Sequence, residues 1–298
     1  MMDRLCVTTE RGYMMKRKLL CLLALLISLT TCAQADFSFP GVFLPEGEPD
    51  VRTETSYRSS DMSIEITAQR VESSDVYVAD IYLREVTSLQ RAFGGGEWDT
   101  RAMRVPDMAA ECGAILAMTG DSAHVFTKGW LIGNGTVLRD NVNSQRDVCL
   151  IYRTGEMRTI LAQNADLNWL IAEADKVWQA FCFGPALLDE DGKALKTFNS
   201  KVNPANPRSV IGYYEPGHYC FVQVDGRGAA SALEPRRTSR GLTMAQLAAF
   251  MESLGCQAAY NLDGGQSSML WFDGHLVSTP YNGGRSVGDI VIITEMLP

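Results

Sequence analysis

Histidine is scarce in this chain. His124, His218 and His275 are the three present among 298 residues, too few for a His-rich metal site. The cysteines include no C-x-x-C pair, and the five beyond residue 35 (Cys112, Cys149, Cys182, Cys220 and Cys256) are widely spaced. That spacing argues against a structural zinc site and against a disulfide framework. Most of these cysteines have apolar neighbours, as in Phe181-Cys182-Phe183 and Tyr219-Cys220-Phe221, and read as small core residues. No internal repeat or low-complexity tract is visible.

Positive charge is also in short supply. The formal net charge is −8, from 27 Lys and Arg against 35 Asp and Glu. With the five basic and two acidic residues of 1–35 set aside, 22 and 33 remain, a charge of −11. Such a surface repels nucleic-acid phosphates and anionic lipids, so a general nucleic-acid role is disfavoured. An anionic ligand would have to be held by a few local arginines.

The chain has one long apolar run, Leu19 to Leu29, and it is too short to span a bilayer comfortably. Lys16-Arg17-Lys18 precedes it and Ala33-Gln34-Ala35 follows, the layout of a secretory signal cleaved after Ala35. The expected location is therefore secreted or periplasmic, with lipid anchoring through Cys32 as the lesser alternative. Residues 36–56, rich in Pro, Gly and acidic side chains, read as a leader. Residues 57–298 are long enough to bury a substantial core as one large domain.

Within that domain, alternation predicts a pair of strands over Met62 to Leu83, turning at Glu72 to Asp75. Short strands are expected around Gly133-Asn134-Gly135 and at Val148 to Tyr152. Helices are expected at Asp107 to Met118, with Asp107 as N-cap, and at Asp166 to Phe181, with Trp169 and Trp178 in its buried stripe. A third helix begins at Thr243. Gln246 completes a capping box, Leu242 and Leu247 form a hydrophobic staple, and Gly255 ends the helix. Strands outnumber helices without regular βα alternation, so the expected fold class is α+β around a mixed sheet.

Two apolar strands finish alike, at Val224-Asp225-Gly226-Arg227 and at Leu262-Asp263-Gly264-Gly265. One helix separates them, a layout that sets strands parallel with both C-terminal ends on one edge. Asp225, Arg227, Asp263 and the glycine turn would then share a mouth. Gly264 and Gly265 permit close backbone approach, and consecutive turn amides followed by Ser267 and Ser268 suit an anion. The competing reading of Asp-Gly between apolar residues is a plain hairpin turn.

Several segments appear in a telling order: Thr119-Gly120-Asp121, Phe183-Gly184-Pro185, Asn206-Pro207-Arg208-Ser209, Asp225-Gly226-Arg227, Asp263-Gly264-Gly265-Gln266-Ser267-Ser268 and Arg285-Ser286-Val287-Gly288. Together they resemble the phosphodiester glycosidase family over roughly residues 57–298. The resemblance implies an α+β domain and hydrolysis of a sugar, N-acetylglucosamine being one candidate, from a phosphodiester at its anomeric carbon. It implies that Arg208, Arg227 and Arg285 clamp the phosphate, with Gly264, Gly265, Ser267 and Ser268 completing the cradle. Asp121, Asp225 and Asp263 are the carboxylates it offers for catalysis, their individual roles left open, and His124 lies near Asp121 in sequence. No cofactor is demanded, although a carboxylate-rich mouth would suit Ca²⁺ or Mg²⁺. Thr119 stands where the family has Asn, and Gln266 where it has a third Gly. Those departures leave room for a different sugar, for a carbohydrate-binding or envelope polysaccharide assembly protein without turnover, or for cleavage of the P–O bond.

Overall fold

Side-chain alternation along the strand Ser74–Leu83 decides the architecture. Val76 and Val78 join one apolar cluster with Val210, Val222 and Leu247, while Tyr77, Ala79 and Ile81 join another with Ile211, Phe221 and Leu116. A strand buried on both faces must lie inside a sheet. It does, in a seven-stranded sheet with the spatial order Val51–Arg52, Ser56–Arg58, Met62–Val71, Ser74–Leu83, His218–Val224, Arg208–Glu215, Ala258–Asn261. The computed structural model describes residues 36–295 apart from Ser144 and Asn199. The signal peptide expected at 1–35 lies outside the described residues.

One face of this sheet packs on a second sheet, ordered His275–Leu276, Leu270–Phe272, Leu116–Thr119, Asp289–Ile293, Leu89–Phe93. Ile64, Ile81, Ile211 and Phe221 from the first meet Leu116, Met118, Leu270 and Val291 from the second. The other face is covered by the helix Met244–Ser253 through Leu247, Ala248 and Met251. The larger of these side chains, such as Leu247 and Met251, are each worth about 1.5–3 kcal/mol when withdrawn from water. A third sheet, Met157–Ile160, Val148–Tyr152, Val177–Phe181, Leu131–Gly133, Thr136–Arg139, adds Cys149, Ile151 and Phe181 to the same core.

The α+β class holds, with strands dominant and three short helices among the described residues. Every strand ladder among them is antiparallel. The parallel relation expected between His218–Val224 and Ala258–Asn261 exists, but Arg208–Glu215 lies between them, antiparallel to both. Its first residue therefore reaches the edge where its neighbours end, and Arg208 pairs with Val224.

The capping box at Thr243 is present as expected, with Gln246 N donating to Thr243 Oγ1 at 3.2 Å and Thr243 N to Gln246 Oε1 at 3.0 Å. The other two helices are shorter than their periodicity suggests. The first spans Val105–Glu111 with Pro106 in its opening turn, where the missing N–H costs nothing. Asp107 sits inside that turn, and Leu116–Thr119 is a strand. The second spans Leu167–Glu173, capped by Asp166, after which Val177–Phe181 pairs with Val148–Tyr152. Ladder partners on both sides override the helical spacing, and Trp169 is 39% exposed rather than core.

Candidate active site

The glycine turn after Asn261 is not a hairpin. Ala258–Asn261 belongs to the seven-stranded sheet and Leu270–Phe272 to the second sheet, so Leu262 to Met269 crosses between them. The crossing is pinned by Thr119, whose hydroxyl donates to Ser267 O at 2.5 Å and accepts from Met269 N at 3.1 Å. Asp263 N donates to Gly120 O at 3.1 Å. The Thr119-Gly120-Asp121 segment thus lies directly under the turn.

Beside the turn opens a cleft of about 240 Å³ lined by Phe183, Val202, Asn206, Arg208, Arg227, Asp263, Gly264, Gly265, Gln266 and Arg285. Three cations and one carboxylate line it, so its field favours an anion. Arg208 is almost fully buried, and Nε donates to Leu242 O at 3.0 Å while Nη2 donates to Val202 O and Pro204 O at 2.7 and 2.6 Å. Burial first, and then the neighbouring Arg227 charge, lower its pKa to about 10, which leaves it charged at neutral pH. Arg227 adopts a left-handed φ of 57°, and its Nε donates to Asn206 Oδ1 at 3.1 Å. A non-glycine residue in that region is held by its surroundings.

Asp263 is equally constrained. Its Oδ1 accepts from Gly264 N at 2.9 Å; its Oδ2 accepts from Ser122 Oγ at 2.6 Å and from Arg285 Nη2 at 3.3 Å. Arg285 Nε donates to Ser267 Oγ at 2.6 Å. The turn glycines are required by contact. A Cβ on Gly265, at φ 67°, would stand 2.8 Å from Arg227 Nη2, and one on Gly264 would stand 2.6 Å from Pro207 O.

Other expected site residues fall elsewhere. Asp121 has no exposed surface and does not line the cleft. Its carboxylate accepts from Cys182 N at 2.9 Å and Phe183 N at 2.6 Å, and lies 3.7 Å from Arg91 Nη2. Burial raises its pKa while Arg91 opposes the rise. Asp225 is 1% exposed and accepts from Tyr77 Oη at 3.2 Å and Thr279 N at 3.0 Å. Burial raises it to about 7, against the Thr279 and Tyr77 hydrogen bonds. Both aspartates shape the cleft from behind, Asp121 through Phe183 and Asp225 through the loop leading to Arg285.

His124 also misses the cleft. Its ring presses on the Gly288 backbone, with Nδ1 buried and unpartnered among the described residues. The anion cradle expected of the turn does not form as drawn, because the amides of Gly264, Gly265, Ser267 and Ser268 already donate within the protein. Ser268 Oγ pairs with Ser209 Oγ at 3.2 Å, away from the cleft. The guanidinium groups of Arg208, Arg227 and Arg285 line the cleft, with Gln266 beside them. Ser122 is not among the site residues expected from the sequence, and a serine at a left-handed φ of 46° leaves no periodic trace there. Among the described residues no group of three or more His, Cys, Asp or Glu is placed to hold a metal ion.

A strand-rich α+β scaffold carrying a cationic cleft with one fixed carboxylate suits an anionic ligand. The family model for phosphodiester glycosidases matches residues 112–294, more than half of the chain, and the protein belongs to that family. Its fold is similar to the zebrafish N-acetylglucosamine-1-phosphodiester α-N-acetylglucosaminidase catalytic domain, described as auto-inhibited by its pro-peptide, with TM-score 0.60 and 19% identity over 79% of this chain and 83% of that one. A hypothetical protein from Synechocystis superposes with TM-score 0.59 at 11% identity, covering 83% of this chain and 64% of that one. The SPbeta prophage-derived uncharacterized protein YomE of Bacillus subtilis (strain 168) is 28% identical over 152 residues, which is 50% of this chain and 22% of YomE. No helix among the described residues is long and apolar enough to cross a membrane.

Proposed function

We propose that the protein hydrolyses the glycosidic bond between a sugar and a phosphodiester. The observation that carries this reading is Asp263, the one carboxylate lining a cleft that also holds Arg208, Arg227 and Arg285. Breaking the C1–O bond turns a singly charged phosphodiester into a more highly charged phosphomonoester. Arginines that grip this leaving group gain interaction as the charge develops, and so stabilise the transition state more than the ground state. Such a leaving group needs little help from a general acid, so one carboxylate can suffice. Asp263 takes the proton of the attacking water, and Ser122 and Arg285 fix its orientation. The water oxygen joins C1, and its second proton stays on the released sugar.

Mass-spectrometric product analysis of residues 36–298 with UDP-N-acetylglucosamine and with methyl N-acetylglucosamine-1-phosphate tests this. Free sugar from wild type, lost in Asp263→Asn, is the expected result; sugar phosphate as product would move the reading to P–O cleavage. A second reading, a carbohydrate-binding or envelope polysaccharide assembly protein, is favoured by one observation. Glycosidases usually work with two carboxyl groups, and Asp121 and Asp225 are buried outside this cleft. Ligand binding without product, retained in Asp263→Asn, would select it. We also read the mature chain as exported, on the strength of residues 16–35. A mature N-terminus at Asp36 is expected from mass spectrometry of the expressed protein, and an intact leader would refute export.

A further inference from the structure

A second cleft adjoins the first. It measures about 350 Å³, is lined by Gln145, Arg146, Phe198 and Lys201 among others, and shares Phe183 and Val202 with its neighbour. The 240 Å³ cleft alone falls below the roughly 300–1,000 Å³ usual for small-molecule sites. With its neighbour it comes within that span. Among the residues of the second cleft there are two cations and no carboxylate. In a chain of formal charge −8 that is a local reversal of sign.

Arg146 is also prepared for a ligand. Its Nη1 donates to Phe183 O at 2.7 Å, and its guanidinium stacks 3.7 Å from the Phe126 ring centroid and 5.4 Å from that of Phe183. Among the described residues neither Arg146 nor Lys201 forms an ion pair with a carboxylate. A stacked guanidinium with one edge anchored loses little freedom when its other edge meets an oxyanion.

We propose that the two clefts form one groove and that Arg146 and Lys201 bind a second phosphate of the substrate, beyond the one held by Arg208, Arg227 and Arg285. The substrate class is then a sugar phosphodiester with a further phosphate, supplied either by a diphosphate or by the next unit of a phosphate-linked chain. This rests on the sugar-phosphodiester reading above.

The test compares three N-acetylglucosamine 1-phosphate derivatives: the methyl ester, the methyl diphosphate ester, and the ester to glycerol 3-phosphate. Wild type is expected to show at least a tenfold higher kcat/KM for one of the two-phosphate substrates than for the methyl ester. Which one it favours identifies the source of the second phosphate. Lys201→Met, at an exposed position, and Arg146→Gln should each reduce that ratio at least threefold. A wild-type ratio near one, or a ratio that neither variant moves, would overturn the proposal. Titration calorimetry with the same three compounds separates it from the catalytic reading. No turnover with tighter binding of a two-phosphate compound, weakened in Lys201→Met, refutes hydrolysis and upholds the groove; equal binding of all three refutes the groove.

Discussion

Two arginine–aspartate clusters meet at one short segment, Gly120 to Ser122, and they differ most in their exposure to water. On one side Ser122 and the Gly120 carbonyl hold Asp263, whose partner Arg285 has a side chain 56% exposed. On the other side Asp121 N donates to Asp289 Oδ2 at 2.9 Å, and Arg91 lies 3.7 Å from Asp121 and 3.5 Å from Asp289, all three out of water. The exposed pair is worth little as a salt bridge but is free to meet a ligand. The buried group costs several kcal/mol to desolvate, and its charges must stay together. On the proposed function, a carboxylate is assigned to chemistry or to folding according to which side of one tripeptide it lies on.

The sharpest way to break this comparison is to remove a charge from each side. Asp263→Asn should lower kcat about 10³-fold, close to 4 kcal/mol of barrier, with little change in melting temperature. Asp121→Asn should do the reverse, destabilising the fold by about 3–5 kcal/mol because Arg91 loses a partner in a dry site. Its activity per folded molecule should stay within about tenfold of wild type, measured well below the transition. Should Asp121→Asn abolish turnover in a protein that melts like wild type, the assignment of the two sides would be reversed.

Asp225 sharpens the comparison by pH. Its pKa rises from 3.8 to about 7 on folding, through burial. Between those values the folded protein holds a proton that the unfolded chain has released. The stabilising share is complete below the unfolded value of 3.8 and lost as pH rises through about 7. Asp225→Asn removes this dependence while keeping an acceptor for Thr279 N. Relative to wild type, the variant should improve by up to about 4 kcal/mol between pH 4 and pH 8, read from urea denaturation at each pH. A parallel pH profile for the two proteins would show that Asp225 is ionised throughout.

Much of this was legible in the sequence. The strands around Glu72, the Thr243 helix and the shared edge of Asp225 and Asp263 follow from period-2 alternation, a capping box and chain direction. What was not legible has a common physical cause. Val177 to Phe181 lies on helical spacing yet is a strand, because its partners Val148–Tyr152 come from 25 or more residues away. Asp121, Asp225 and Asp263 each follow or precede glycine in similar strings, and only tertiary burial separates them. The amides of Gly264, Gly265, Ser267 and Ser268 look available in sequence and are consumed in the fold by Pro207 O, Asp263 Oδ1 and the turn itself. A motif names the segments that gather at a site; it does not say which of their donors remain unspent.

The smallest effect expected probes how far the cleft depends on its scaffold. Thr243 caps the helix Met244–Ser253, and the residue before it, Leu242, accepts the hydrogen bond from Arg208 Nε. Thr243→Ala removes the side-chain half of the capping box and should cost about 1 kcal/mol of stability. Leu242 is also fixed by its own backbone pairing with Asn206, whose N–H donates to Leu242 O at 3.2 Å and whose carbonyl accepts from Leu242 N at 3.1 Å. Two backbone bonds to the same strand entry should hold that carbonyl when the cap is lost, so KM is expected to change by less than about twofold. If KM instead rises tenfold with the fold intact, Arg208 is positioned by the helix terminus and not by the strand, and the cleft is more closely coupled to the covering helix than the backbone pairing implies.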